Sequence, residues 1–125
     1  MLFRSGIVND NGQSVFVEPS GTILSTGGIA YAPTTVSANT TLTVASSYII
    51  VDNAAVTAVT LPPVVNGQTY FIVRDYPSQP GENIFSPVLS IFPDGAETIG
   101  GYSSLGMPPF SSLRLTGCVS GWVVG

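Results

Sequence analysis

Glycine and proline interrupt this chain so often that they decide which fold classes remain open to it. The 125 residues include 14 glycines and 10 prolines, which are spread along the whole length. Proline breaks a helix because it lacks a backbone donor and clashes with the preceding turn, and glycine weakens a helix through its backbone freedom. Short β-branched and aromatic runs lie between the interruptions. This pattern predicts an all-β protein.

The strand pattern is clearest from residue 34 onward. Tyr48–Val51 is an uninterrupted apolar run, and Gln68–Arg74 carries apolar residues on both of its faces. Ser111–Thr116 alternates, with Leu113 and Leu115 directed inward. Alternation indicates a strand with one buried face, whereas a continuous apolar run indicates burial on both faces. The number and spacing of such runs in residues 34–125 predict an antiparallel, jelly-roll-like β-sandwich.

Residues 1–33 are more loosely patterned, and we expect them to form an extended N-terminal arm ahead of a sandwich domain at 34–125. Turn signals at Asn9–Gly12 and Pro19–Gly21 separate short extended pieces. The segment is too apolar for disorder, so we expect it to become ordered on a partner. The alternative is that it supplies the first strands of the sandwich. The residues predicted to bind the partner are Leu2, Phe3, Ile7, Val15, Phe16, Val17, Ile23 and Leu24.

Charge is scarce in this chain. Charged residues make up 8% of it, against an average of about 25%, while hydrophobic residues make up 44%. Serine, threonine, asparagine and glycine must form the polar surface, or much of the surface is hidden in contacts between chains. We expect both, and therefore a symmetric homo-oligomer. A weakly charged monomer is the alternative.

Two classes of partner are not expected. The net charge is −4, with three basic residues in all, whereas binding to a phosphate backbone needs clustered Lys and Arg. The first twelve residues lack the continuous apolar block of a secretion signal. No apolar run approaches the ~20 residues that span a bilayer. We therefore predict no nucleic acid and no membrane as partners.

The usual residues of catalysis are missing. The sequence has no histidine and no lysine, so Cys118 has no histidine to activate it, and we expect this thiol to be buried near Leu115 and Trp122. Asp94 and Glu97 are the nearest carboxylate pair for glycoside hydrolysis, but they flank a turn, where acidic residues are common. Thiolate and imidazole metal sites are excluded by composition. We predict no enzyme, no catalytic residue, no metal site and no cofactor.

Three aromatic residues fall on predicted loops, where they could bind a sugar. They are Tyr76, Tyr102 and Phe110. Packing beneath a loop or at an oligomer axis is the favoured alternative for each.

The order of several short pieces resembles a module found in bacteriophage fibre and surface proteins. The matching pieces are Val59–Pro62, Gly67–Asp75, Leu89–Ile91, Pro93–Gly101, Ser111–Leu115 and Gly121–Val124. Each has a physical role of its own. Proline after Leu61 ends the hydrogen bonding of a strand, because it has no backbone N–H. Gly67 permits positive φ at a turn, and Trp122 can hold the last strand to the core.

The resemblance implies a homotrimer of β-sandwiches in a phage-type virion. Such modules occur in tail fibres and in capsid decoration (cement) proteins. The absence of a repeated shaft sequence favours a decoration protein, which binds the major capsid protein and stabilises the shell. Its implied location is the capsid surface of the virion, after synthesis in the host cytoplasm. The alternative is a short tail-fibre or receptor-binding domain that recognises a host glycan.

Overall fold

The described part of the chain consists of strands, turns and irregular segments. The computed structural model describes residues 32–43 and 47–125 in full, together with the backbone of strands at 5–8, 14–17 and 23–25. The described residues contain no helix, which confirms the all-β prediction. They accordingly include no helix of the length and apolarity needed to cross a membrane. The chain divides into two compact units, Met1–Tyr31 and Ala32–Gly125.

The first unit contains an antiparallel sheet of three strands. The strands are β1 (Ser5–Val8), β2 (Ser14–Val17) and β3 (Ile23–Ser25), and they pair in the order β1-β2-β3. Phe16, in the central strand, lies opposite Gly6 on one side and Leu24 on the other. The strands thus satisfy part of each other's backbone hydrogen bonding. The extended arm at residues 1–33 stays a prediction.

The second unit forms two further sheets. Its strands are β4 (Thr34–Val36), β5 (Thr40–Thr41), β6 (Tyr48–Val51), β7 (Ala58–Thr60), β8 (Thr69–Arg74), β9 (Leu89–Phe92), β10 (Thr98–Ile99), β11 (Leu105–Met107), β12 (Ser111–Cys118) and β13 (Gly121–Val124). One sheet has six strands in the order β10-β13-β12-β8-β6-β4, and the other has four in the order β11-β9-β7-β5. From β4 to β12, successive strands alternate between the two sheets.

Both sheets of the second unit are mixed, so the prediction of a purely antiparallel arrangement is wrong. β4, β6 and β8 run parallel to one another, as do β5, β7 and β9. Antiparallel pairing joins β8 to β12, β12 to β13 and β9 to β11. Parallel neighbours need a crossover connection. Here that crossover contains a strand of the other sheet, so the chain re-enters its own sheet in its original direction.

The predicted strands of this unit exist, with small differences in their bounds. Tyr48–Val51 has the predicted limits, β8 begins one residue later than predicted, at Thr69, and β12 extends two residues further, to Cys118. β4 had not been predicted, because three residues give too little alternation to read. β11 ends just before the prolines at 108 and 109.

Inward-facing residues of the two sheets form one hydrophobic cluster. In β8, Tyr70 and Ile72 are buried, while Phe71 and Val73 are half-buried on the other face, which confirms that both faces are apolar. Trp122 packs edge-to-face against Tyr70 with ring centroids 5.4 Å apart, so the last strand is held to the core as expected. The buried members are Val36, Leu42, Ile49, Val51, Val56, Val59, Leu61, Tyr70, Ile72, Tyr76, Leu89, Ile91, Ile99, Met107, Leu115 and Trp122.

Cys118 is half-buried, so its predicted full burial is wrong. Side chains alternate along β12, and Leu115 and Gly117 occupy buried positions. Cys118 therefore belongs to the opposite face of the sheet. The prediction relies on the residues that are near Cys118 in sequence and does not consider on which face of the strand each of them lies.

Gly117 lies where another segment of backbone approaches β12 closely. A Cβ atom at this position would lie 2.1 Å from the carbonyl oxygen of Val65. The approach is fixed by two hydrogen bonds, from Gly117 N to the Gln68 carbonyl at 2.7 Å and from Gly67 N to the Gly117 carbonyl at 2.9 Å. Any side chain larger than hydrogen must displace this segment.

We expect Gly117→Ala to lower the free energy of unfolding by about 1–3 kcal/mol, the usual effect of overpacking. Ser112→Ala, at an exposed position of the same strand, is the control and should change it by less than about 0.5 kcal/mol. Denaturant unfolding followed by the fluorescence of Trp122 measures both. Equal stabilities for the two variants would contradict the close approach.

Candidate functional site

A buried arginine anchors the loop that follows β8. Arg74, the last residue of that strand, has no exposed surface. Its guanidinium binds the Glu82 carboxylate through both terminal nitrogens, with Nη2 2.7 Å from Oε1 and Nη1 paired with Oε2. Nη1 also donates to the Met107 carbonyl at 2.8 Å, and Nη2 to the Pro77 carbonyl at 3.0 Å. This bidentate geometry is the strong form of the ion pair, and it joins β8, its loop and β11 at one point.

The Glu82 carboxylate is held from several directions. Its side chain is 3% exposed, and it accepts hydrogen bonds from the backbone N–H of Gln79 at 2.9 Å and of Val88 at 2.7 Å. The hydrogen bond from Arg74 is the main cause that lowers the pKa of Glu82 to about 2; burial acts in the opposite direction, and the two backbone donors lower it further. The carboxylate therefore stays charged, and its role is to hold the loop in place.

Beyond Glu82 the loop turns sharply and presents two large apolar side chains to solvent. Asn83 shapes this turn, because its Oδ1 accepts from the Phe85 N–H at 2.9 Å and its carbonyl accepts from the Ser86 N–H at 3.1 Å. Ile84 is 87% exposed and Phe85 is 91% exposed. We call these two residues the apolar tip. Adjacent exposed apolar groups on a fixed turn are typical of an interaction surface.

A cleft with a volume of about 180 Å³ opens beside the apolar tip. Gly106 allows its walls to approach, because a Cβ at Gly106 would lie 2.1 Å from Cγ of Pro87. Within the lining, Glu82 is the charged residue, and Arg74 neutralises it. We call this hollow the proline cleft. Its lining residues are Ser78, Glu82, Asn83, Ile84, Pro87, Gly106, Pro108 and Pro109.

Phe110 follows the prolines of the cleft and adopts an uncommon backbone conformation. Its φ is 49°, a left-handed value that is rare for a bulky residue. The turn is closed by a hydrogen bond from Ser111 Oγ to the Pro108 carbonyl at 2.6 Å. The Phe110 ring is 66% exposed. The turn thus displays a third large apolar side chain near the cleft.

Tyr76 packs beneath its loop, as the favoured alternative predicts, whereas sugar binding stays open for Tyr102 and Phe110. Tyr76 is buried. Its ring lies under the Arg74 guanidinium, 4.2 Å from ring centroid to Cζ, and its hydroxyl donates to the Val56 carbonyl at 3.1 Å. Burial also raises the pKa of the Tyr76 hydroxyl. Tyr102, by contrast, is 69% exposed.

The carboxylates weighed for hydrolysis take part in local structure. The Glu97 N–H donates to the Asp94 carbonyl at 3.0 Å, which closes the turn between them. The Glu97 carboxylate accepts the Val64 N–H at 3.1 and 3.2 Å. In residues 32–43 and 47–125, no group of three or more His, Cys, Asp and Glu side chains is placed to hold a metal ion.

The side chains of the residues predicted to bind the capsid lie outside what the structure describes. Leu2 and Phe3 fall in an undescribed segment, and the other six belong to β1, β2 and β3, of which the backbone alone is described. Their role stays a prediction. The apolar tip and its anchor were missed by sequence reasoning. The available signal was an isolated Ile-Phe pair inside a loop rich in polar residues, glycine and proline.

Comparison with known proteins adds no assignment. No protein-family model matches the chain, and no curated protein is significantly similar to it. The resemblance to phage virion modules therefore stays a hypothesis, and the geometry described above carries the functional argument.

The pKa of Glu82 predicts how stability changes with pH. Folding lowers this pKa from 4.5 to about 2, so the folded protein binds the proton less tightly than the unfolded chain does. The resulting stabilisation is complete above the unfolded value and is lost as the pH falls through the folded one.

We expect Glu82→Gln to lower the melting temperature at neutral pH. The difference from wild type should shrink between pH 4.5 and about 2. Asp52→Asn, at an exposed position, is the control and should have little effect at neutral pH. Thermal unfolding followed by circular dichroism across this range measures all three proteins. A Glu82→Gln difference that is the same at every pH would refute the anchoring role of the charge.

We expect Phe110→Asn to raise the free energy of unfolding by about 1 kcal/mol, because the left-handed backbone is unfavourable by about 1–2 kcal/mol for most L-residues and asparagine tolerates it. Tyr102→Asn is the control. It removes a similarly exposed ring at a position without positive φ, and should give no gain. Urea unfolding of the two variants makes the comparison.

Proposed function

We propose that this protein is a structural component of a virus particle, a non-enzymatic homotrimer that decorates the outer surface of the capsid and stabilises it. The observation that carries the proposal is the apolar tip. Ile84 and Phe85 are held almost fully in solvent by a loop whose base is a buried ion pair. A chain that fixes large apolar groups in water is built for contact with another protein surface.

The order of the sequence pieces supports the viral part of the proposal. The run from Val59–Pro62 to Gly121–Val124 resembles the module of phage surface proteins. We propose that the two mixed sheets form a β-sandwich, because inward residues of both contribute to one buried cluster. The residues 1–33 would then form the arm that binds the major capsid protein.

The scarcity of charge supports a homo-oligomer. Charged residues make up 8% of the chain, and the exposed apolar side chains include Tyr102 and Phe110 in addition to the tip. Covering such surface in contacts between copies removes it from water, at about 25 cal/mol per Å² of apolar area. Three arms on one trimer would also raise the avidity for the shell, because the second and third bind at high effective concentration.

The second candidate is a short tail-fibre or receptor-binding domain that recognises a host glycan. Exposed aromatic rings supply the flat apolar surface on which sugars pack, and Tyr102 and Phe110 are exposed by 69% and 66%. Under this alternative, purified protein binds host cells or a glycan array, and Tyr102→Ala or Phe110→Ala weakens that binding. Capsid binding is then absent.

The first experiment is binding of the purified protein to bare capsids of the virus that encodes it. We expect saturable binding in gradient sedimentation, together with a raised melting temperature of the shell. Deletion of residues 1–33 should abolish capsid binding while the oligomeric mass, scaled for the deletion, stays that of a trimer. Wild-type protein that binds no capsid but adsorbs to host cells would replace the proposal by the second candidate.

A further inference from the structure

We infer that the apolar tip packs into the proline cleft of a second copy of this chain, so that the loop at residues 76–88 makes the contact between copies. The inference rests on the proposed homo-oligomeric function and names the surface that would carry it.

The tip and the cleft lie side by side but do not fill one another. Ile84 and Asn83 line the cleft, while Phe85, the next residue, is 91% exposed and is not among the lining residues. A projecting side chain beside a hollow is complementary to a rotated copy of itself. Two copies related by a symmetry axis near this turn can place each Phe85 in the cleft of a neighbour.

Charge allows this approach between two acidic molecules. Each copy has a net charge of −4, so most surfaces would meet with repulsion. In residues 76–88 the charged residue is Glu82, and in residues 102–113 there is none. Because Arg74 pairs with Glu82 inside the loop, the contact brings no unpaired like charges together.

The area of the contact suits a reversible association. An aromatic side chain such as Phe85 buries about 150–250 Å², whereas a stable interface buries about 800 Å² on each partner. A copy that inserts one tip and receives another buries about twice the area of a single ring. Ile84 and Phe110 then add flanking surface, so we expect association that depends on protein concentration.

The fixed geometry of the loop favours binding without rearrangement. Glu82 and Asn83 already hold the turn through hydrogen bonds to Gln79, Val88 and Phe85. A preorganised loop loses little conformational entropy when it binds. The tip can therefore enter a cleft in the conformation that it has in the free chain.

A bilayer is less suited to this surface than a second copy. An apolar tip could enter a membrane, but insertion into a membrane would not require a cleft beside the tip. Attraction to anionic lipid also needs clustered basic residues, and this chain has three basic residues in all. The neighbouring cleft therefore favours another copy of the protein.

The test is sedimentation velocity of the full chain over a wide range of concentrations. We expect wild type to self-associate and Phe85→Ser to weaken that association by about tenfold or more, which corresponds to about 1.4 kcal/mol. Val119→Ser is the matched control, because Val119 is also 89% exposed but lies on the turn between β12 and β13. It should associate as wild type does.

A mixing experiment tests the fit between tip and cleft directly. Ser78 is exposed and lines the cleft, so Ser78→Phe should fill it and leave the tip intact. Each of Phe85→Ser and Ser78→Phe should associate poorly alone. Their mixture should associate more strongly than either variant alone but less than wild type, because a mixed pair has one tip and one open cleft and forms one of the two contacts. A mixture that associates no more strongly than either variant alone would overturn the inference.

The outcomes separate this inference from the proposed function. If wild type is trimeric and binds capsids while Phe85→Ser associates equally well, the inference is wrong and the proposed function stands. If wild type is monomeric at every concentration, the inference is overturned together with the homotrimer of the proposed function, and capsid binding then decides the decorating role alone. Phe85-dependent pelleting of monomeric protein with neutral phosphatidylcholine vesicles would overturn it in favour of a lipid surface.

Discussion

The buried pair between Arg74 and Glu82 is the interaction on which the functional surface depends. Removing two charges from water is unfavourable unless their remaining hydrogen-bonding groups are satisfied. Here the carboxylate accepts from Arg74, Gln79 and Val88, and both terminal nitrogens of the guanidinium also reach the carbonyls of Met107 and Pro77. Within the described residues, Nε of Arg74 is the buried nitrogen of the pair that lacks a hydrogen-bond partner. The same bonds that make burial tolerable fix the loop at its base and end. The apolar tip consequently stays in solvent instead of collapsing onto the core.

The topology explains why one side chain, that of Arg74, contacts elements of both sheets. β8 belongs to the six-stranded sheet, and the strand that follows it, β9, belongs to the four-stranded sheet. The loop between them therefore passes from one sheet to the other. Arg74 lies at the start of that passage and bonds to the backbone of β11, which pairs with β9. The anchor thus links both sheets at the point where the chain crosses between them.

The sequence allowed the strands to be predicted but not their partners. Tyr48–Val51 and the two apolar faces of β8 follow from local periodicity, which is written in adjacent residues. A turn with glycine or proline looks the same whether the chain returns to a neighbouring strand or crosses to another sheet, so the parallel pairing was missed. Arg74 was within reach of sequence reasoning, because it continues the buried parity of Tyr70 and Ile72. The pairing with Glu82 and the exposure of the tip depend on how the loop folds back, which the periodicity of the sequence does not show.

The alternation of strands between sheets also determines how this unit must fold. Apart from the hairpin of β12 and β13, strand neighbours within a sheet are separated in sequence by a strand of the other sheet. Neither sheet can form all of its strand pairs before the other, because the segments that connect its strands contain strands of the other sheet. The entropy lost on closing these connections opposes most of the strand pairings, which slows folding. Slow hydrogen exchange should therefore extend through both sheets together, with the core opening as a single cooperative unit.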